Sequence, residues 1–142
     1  MPNIRWLLAL ITAIHRWIYV KSGGRIGHNL MGKRMLLLES VGRKSGELRV
    51  TPLLYVEDGD ACVIVASNMG DARFPAWWYN LQAKPEATVR LGRRRVAVCA
   101  RRAGAEEEDR LWPRLEASYS YYPDYRARAG REIPVVILDP VP

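Results

Sequence analysis

The feature that most constrains this chain is the regular interruption of its middle by turns. Between residues 35 and 101, short runs rich in valine, leucine and isoleucine alternate with turn-forming clusters. These clusters are Gly42-Arg43-Lys44-Ser45-Gly46, Asp58-Gly59, Asn68-Met69-Gly70-Asp71, Lys84-Pro85 and Gly92. Short apolar runs bounded by Gly, Asn, Asp and Pro read as strands, and Asp58-Gly59 is a strong hairpin signal. The pattern predicts strands over Met35–Val41, Leu48–Val56, Ala61–Ser67, Ala87–Leu91, Arg95–Arg101 and Ile133–Leu138. Ala61–Ser67 is apolar enough for a buried, central position. A short helix is expected from Pro75 to about Ala83, with Trp77, Asn80 and Leu81 on one face. A second is expected from Ala105 to Tyr119, with Glu106, Glu107, Glu108 and Asp109 favouring its dipole and a kink at Pro113. Hairpins dominate, so the expected class is α+β: a small antiparallel barrel with flanking helices.

Residues 4–21 form a separate unit. Arg5, Ala9, Thr12 and Arg16 make one polar stripe at helical spacing, and Leu7, Leu10, Ile11, Ile14, Trp17 and Ile18 make a broad apolar face. The run is too short for a transmembrane helix, which needs about 20 apolar residues. Two readings stand. One is a helix packed on its own domain; the other is an interfacial helix with Trp6, Trp17 and Tyr19 at headgroup depth and Arg5, Arg16 and Lys21 on anionic lipid. The organisation expected is this amphipathic helix over residues 1–23 and one domain over residues 24–142, as suits a chain of 142 residues.

Charge narrows the partners. The net charge is +7, and residues 1–50 carry all of it, with nine basic and two acidic side chains. A local excess of this kind points to an anionic partner. Nucleic acid is disfavoured, because the charges near Arg43 belong to one turn. Cys62 and Cys99 sit in apolar runs and read as reduced, buried thiols. His15 and His28, the two histidines, stand without metal-ligand spacing, so no metal site is expected. Gly27 to Lys33 matches G-x-x-x-x-G-K, but Arg34 stands where a P-loop needs Ser or Thr.

Four stretches carry candidate chemistry, each beside a plainer reading. The turn 42–46 with Arg49 suits phosphate or carboxylate, or is a solvated hairpin tip. Ser67-Asn68 ends a buried strand and either lines a pocket or simply turns the chain. Trp77-Trp78-Tyr79-Asn80 is a ring platform or core, although a half-buried Asn80 amide demands partners. Tyr119, Tyr121, Tyr122 and Tyr125 offer flat apolar area with hydroxyl handles, or pack a loop. Together they describe cationic and amide groups for an anionic tail, aromatic walls for a flat ring, and no evident proton shuttle. Hydride-transfer sites look like this, because the cofactor supplies the chemistry.

In their order and spacing these residues resemble the deazaflavin (F420)-dependent nitroreductase family. The resemblance is carried by Gly42-Arg43-Lys44-Ser45-Gly46-x-x-Arg49-Val50-Thr51-Pro52-Leu53, by Asp58-Gly59-Asp60 and by the strand ending at Ser67. Pro75-x-Trp77-x-x-Asn80-Leu81 and Tyr119…Tyr122-x-Asp124-Tyr125 complete it, so it spans about Gly24 to Pro140. It implies a split β-barrel of the flavin-binding type, coenzyme F420 as hydride donor, and a cytoplasmic actinobacterial protein, with the inner face of the membrane open as a working surface. Arg43, Lys44 and Ser45 would take the phosphate end, since this cofactor carries a phosphodiester and a polyglutamate tail. Arg49, Val50, Thr51, Pro52 and Leu54 would continue that wall. Val65, Ala66, Ser67 and Asn68 would run along the deazaflavin, with Ala76, Trp77 and Asn80 beside it. Tyr119, Tyr122 and Tyr125 would cover the substrate, Tyr122 also reaching the cofactor, and Ser67 or a tyrosine hydroxyl would orient the acceptor. The implied reaction is hydride transfer to a small electron-poor acceptor: a quinone, an activated enone or a nitroaromatic. The alternative is a membrane-associated lipid or fatty-acid carrier of the same fold. Some family members carry Tyr where this chain has Leu54 and Lys where it has Asn68, which bears on acceptor preference. Monomer and homodimer both remain open.

Overall fold

The computed structural model describes residues 34–118 and 129–142. Seven strands form one antiparallel sheet: β1 (Met35–Val41), β2 (Leu48–Leu54), β3 (Val56–Asp58), β4 (Ala61–Val65), β5 (Glu86–Leu91), β6 (Arg94–Arg102) and β7 (Val135–Pro140). Helix α1 (Ala76–Ala83) follows β4 after a 3-10 turn at Asn68–Gly70, and α2 (Ala105–Ser118) follows β6. The expected helix over residues 1–23 and the tyrosine cluster 119–125 lie outside the described residues.

The strand order is β2-β1-β5-β6-β7-β4-β3. This order forces the sheet to curl. β2 and β3 sit at opposite ends of it, yet only Tyr55 separates them in sequence. A flat sheet of this order would hold its edge strands roughly 29 Å apart at about 4.8 Å per spacing. Leu54 and Val56 are two Cα steps apart, at most about 7 Å. The sheet therefore wraps into a split barrel, as expected. Tyr55 is buried at the crossing, and its N–H donates to the Arg34 carbonyl. The expected single strand Leu48–Val56 is thus two strands. The apolar pattern runs on through Tyr55, but the pairing partner changes from β1 to β4.

β4 and β7 are buried on both faces, and alternation divides their side chains between two cores. Cys62, Ile64, Val136 and Leu138 join the barrel interior with Leu36, Leu38, Trp77, Trp78 and Leu81. Ala61, Val63, Val65, Val135 and Ile137 pack outward against Leu111, Trp112 and Leu115 of α2. α2 runs on through Pro113 as one helix. Cys62 is buried as expected, and burial pushes its thiol up to about 11; Cys99 is exposed on β6, contrary to expectation. It lies in a strand whose outer face is largely exposed, so an apolar neighbourhood in sequence did not mean burial.

Two ion-pair systems brace the barrel. On β1 the Glu39 carboxylate, 3% exposed, accepts from Arg90 at 2.5 Å and Arg95 at 2.6 Å. Replacing Arg90 with leucine leaves that carboxylate with the more exposed Arg95 as its ion-pair partner among the described residues. The expected cost is about 3 kcal/mol, the scale for breaking a buried pair, read as a lower urea midpoint at unchanged slope.

The other system clamps α2. Arg110 grips Asp58 in a fork at 2.9 and 3.0 Å, and Arg101 joins Glu107 at 2.8 Å and Asp139 at 2.7 Å. The Arg101 guanidinium and the Gly104 amide hold the Glu107 carboxyl down to about 2, against an ordinary 4.5. Asp58 is lowered by Arg110, and Glu132 by Arg102. All three shifts are downward, so the stabilisation is complete above the ordinary carboxylate range and lost as pH falls through the folded-state values. The thermal midpoint should therefore drop as pH falls from 4.5 to about 2. Glu107→Gln should flatten that slope, and added salt should do the same, because these groups face solvent.

Candidate functional site

The basic turn is shaped by its first glycine. A Cβ on Gly42 would lie 2.8 Å from Ser45 Oγ and 3.2 Å from Arg49 Nε. The Gly46 N–H donates to the Gly42 carbonyl and the Gly42 N–H to the Glu47 carbonyl, both at 2.8 Å. Gly46, at φ +72°, takes a conformation most residues avoid. Ser45 Oγ accepts from the Glu47 N–H at 3.1 Å and lies 3.4 Å from Arg49 Nη2. These contacts hold Arg49 against Ser45, with the Glu47 carboxylate 3.9 Å from its Nη2.

Helix α1 locks the turn in place. Pro75 precedes its first residue, and Trp77, Trp78, Asn80 and Leu81 are buried. Asn80 Oδ1 accepts from both the Arg43 N–H, at 3.1 Å, and Arg43 Nη1, at 3.2 Å. The Arg43 guanidinium also lies 5.0 Å from the centroid of the Tyr79 ring, within cation–π range. The amide that demanded partners thus serves to aim the arginine.

Two cavities open beside these elements. The first, about 400 Å³, is lined by Gly42 to Ser45, Arg49 to Thr51, Ala76, Trp77 and Asn80. Its lining holds three cations and no carboxylate. The second, about 530 Å³, is lined by Thr51 to Leu53 on β2, by Val65 at the end of β4, by Ser67 and Asn68 just beyond it, and by Arg73 to Trp77. Thr51, Ala76 and Trp77 line both. The two cavities adjoin at these residues: the first gathers three cations, and the second carries Phe74 and Trp77 beside one cation, Arg73, which pairs with Asp71.

Most of the expected residues meet here. Arg43, Lys44, Ser45, Arg49, Val50 and Asn80 line the first cavity, Pro52, Val65, Ser67 and Asn68 the second, and Thr51, Ala76 and Trp77 both. Leu54 and Ala66 line neither. Leu54 is half-buried where β2 ends, and Ala66 is buried in the barrel core. Tyr119, Tyr122 and Tyr125 lie outside the described residues. Sequence reasoning passed over Arg73 and Phe74. Phe74, the chain's one phenylalanine, stacks on Trp78 at 5.9 Å. Its place just before the helix-starting Pro75 was the signal available.

The site offers little acid–base chemistry of its own. Both histidines fall outside the described residues, and Cys62 lies in the barrel core away from either cavity lining. Among the described residues no helix is long and apolar enough to cross a membrane.

Comparison with known proteins identifies the family. Residues 11–140 match the family model for F420H2-dependent quinone reductase. The chain is 41% identical to an F420H2-dependent quinone reductase of Mycobacterium tuberculosis, over 97% of this chain and 98% of that one. A solved F420-H2 dependent reductase superposes with a TM-score of 0.68 at 33% identity, covering 74% of this chain and 93% of the other. A further solved structure, described as a domain-swapped dimer, gives a TM-score of 0.71 at 29% identity, with 89% and 96% of the two chains covered.

Proposed function

We propose that this chain, which belongs to the F420H2-dependent quinone reductase family, holds coenzyme F420 along the two adjoining cavities and reduces a quinone in the second, beside Phe74 and Trp77. Membership makes it an F420-dependent oxidoreductase. The finer assignment rests on one observation: the two cavities adjoin at Thr51, Ala76 and Trp77, and the first gathers three cations with no carboxylate. That polarity fits a cofactor with an anionic tail and a flat, neutral ring system.

When bound, reduced F420 supplies the hydride. The chain supplies position and field. Arg43, Lys44 and Arg49 would hold the phosphodiester and glutamate end, with Arg43 pre-aimed by Asn80 so that little freedom is lost on binding. Pro52, Val65 and Trp77 would bound the ring and keep water from it. Ser67, half-buried at the second cavity, would donate its hydroxyl to an acceptor oxygen as negative charge develops there. Among the described residues the cavity linings hold no histidine, cysteine or carboxylate to shuttle the accompanying proton, and solvent would deliver it.

Titration with F420 under tryptophan fluorescence, with FMN in parallel, tests the reading. Saturable quenching in the low micromolar range by F420 alone is expected, followed by oxidation of F420H2 on adding menadione. Equal binding of FMN, or no binding of F420 by folded protein, would remove it. The reading extends to residues 1–23, whose amphipathic pattern suits an anionic bilayer, where a lipid-soluble quinone would be met. Flotation with vesicles containing anionic lipid checks this. Protein that stays unbound would drop the membrane contact and leave the reductase assignment intact.

A further inference from the structure

Arg131 belongs to none of the sequence signals above, yet beside the second cavity its side chain donates to five backbone carbonyls. It lies on the segment entering β7. Its Nη2 donates to the carbonyls of Ala66 at 3.1 Å, Ser67 at 3.3 Å and Arg73 at 3.1 Å, and its Nε to Asp71 at 3.3 Å. Nη1 is anchored on its own segment by the Glu132 carbonyl at 2.9 Å. The guanidinium also sits 4.3 Å from the centroid of the Phe74 ring. Burial pushes its pKa down, outweighing the opposing pull of the nearby Asp71 charge.

The segment it gathers is the wall of the cavity. Ser67, Asn68, Arg73 and Phe74 all line it. The wall is not a relaxed loop. Asn68 has φ +45°, the one positive value outside glycine among the described residues, and its Nδ2 donates to the Arg73 carbonyl at 3.0 Å. Asparagine tolerates that conformation better than most residues. In a trans peptide the C=O and the following N–H point in opposite directions. Carbonyls of Ala66 and Ser67 drawn to the guanidinium therefore turn the N–H groups of Ser67 and Asn68 away from it. Neither N–H has a partner among the described residues.

We propose that Arg131 is a positioning residue of the reductase site: by gathering these carbonyls it fixes the Ala66–Phe74 wall and presents the Ser67 and Asn68 N–H groups to the cavity. There they would donate to a carbonyl oxygen: one on the acceptor, which gains negative charge as the hydride arrives, or one on the bound ring, which they would hold in place. The inference rests on the assignment of this cavity to the reactive end. Only arginine fits the task, because a planar fork with five donors reaches several carbonyls at once and lysine has three donors at a single point.

The test compares wild type, Arg131→Lys and Arg131→Ala at a temperature where melting curves show each fully folded. F420 affinity is read by tryptophan quenching, and kcat and KM are measured with menadione. Arg131→Lys should lose about tenfold, and Arg131→Ala about a hundredfold, the scale for charge-assisted bonds. Free guanidinium at about 20 mM should restore at least about fivefold to Arg131→Ala, while sodium chloride at the same strength should not. A loss in F420 affinity would place the oxygen on the ring. Unchanged affinity with a lower kcat/KM would place it on the acceptor. Wild-type-like binding and turnover in both variants would overturn the proposal and leave the functional reading standing. Failure of folded wild type to bind F420 would bring down both.

Discussion

A glutamate in place of Arg43 is expected to weaken F420 binding by two to three orders of magnitude. Arg43 projects from the turn 42–46, and Asn80 and Tyr79 hold it at the cationic cavity. Losing a charge-assisted bond to a phosphate removes about 1.5–3 kcal/mol. Placing a carboxylate beside an anionic tail adds repulsion. Together these come to about 3–4 kcal/mol, and each 1.4 kcal/mol is about tenfold. The side chain is exposed, so stability should change little. The loss should shrink at high salt, and a deazaflavin lacking the phosphodiester tail should bind both proteins alike. Arg43→Lys should fall between them, because the ammonium keeps the charge and loses the fork. A change below about fivefold for Arg43→Glu, measured by fluorescence titration at low salt, would remove this turn from the binding site.

Trp77→Ala should be the most damaging single truncation in the site. The indole is 5% exposed, packs in the barrel core and lines both cavities. Truncating a buried tryptophan costs about 3–5 kcal/mol through lost transfer energy and the void left behind. That is a large fraction of the roughly 5–15 kcal/mol stability of a domain. Urea denaturation should show the lower midpoint. A further effect separates the site from the core. Without the indole the two cavities lose their shared wall, so F420 affinity should fall even where the variant is fully folded. Trp77→Phe keeps most of the packing and should recover most of the stability with part of the affinity. A Trp77→Ala protein that binds like wild type would show that the ring lies elsewhere.

Much of this molecule was readable from local pattern. The hairpin at Asp58-Gly59, the turn bounded by Gly42 and Gly46, and the helical face carrying Trp77, Asn80 and Leu81 depend on residues near in sequence. What escaped depends on residues far apart. The break at Tyr55 leaves no mark in the hydrophobic pattern, because its cause is the curl that brings the two edges of the sheet together. Cys99 looks like Cys62 in composition, yet the two differ in which face of a strand is covered. Arg131 reads as one more loop charge. Its role exists only because Ala66, Ser67, Asp71 and Arg73 turn their carbonyls toward it from about 60 positions away. The cationic end of the site was legible as a motif, and its aiming by Asn80 only as a demand for some partner.

The placement of β7 has a consequence for how the molecule comes into being. β4 pairs with β7, and β7 with β6, so residues 61–65 meet their partner in a strand made some 70 residues later. On the ribosome the earlier strands emerge with a gap between β6 and β4 and with Val63 and Ile64 uncovered. Translation at about 5–20 residues per second leaves that gap open for several seconds. The nascent chain is therefore exposed to unwanted pairing at two open edges while residues 103–134 are made, and the arrival of residues 135–140 closes both at once.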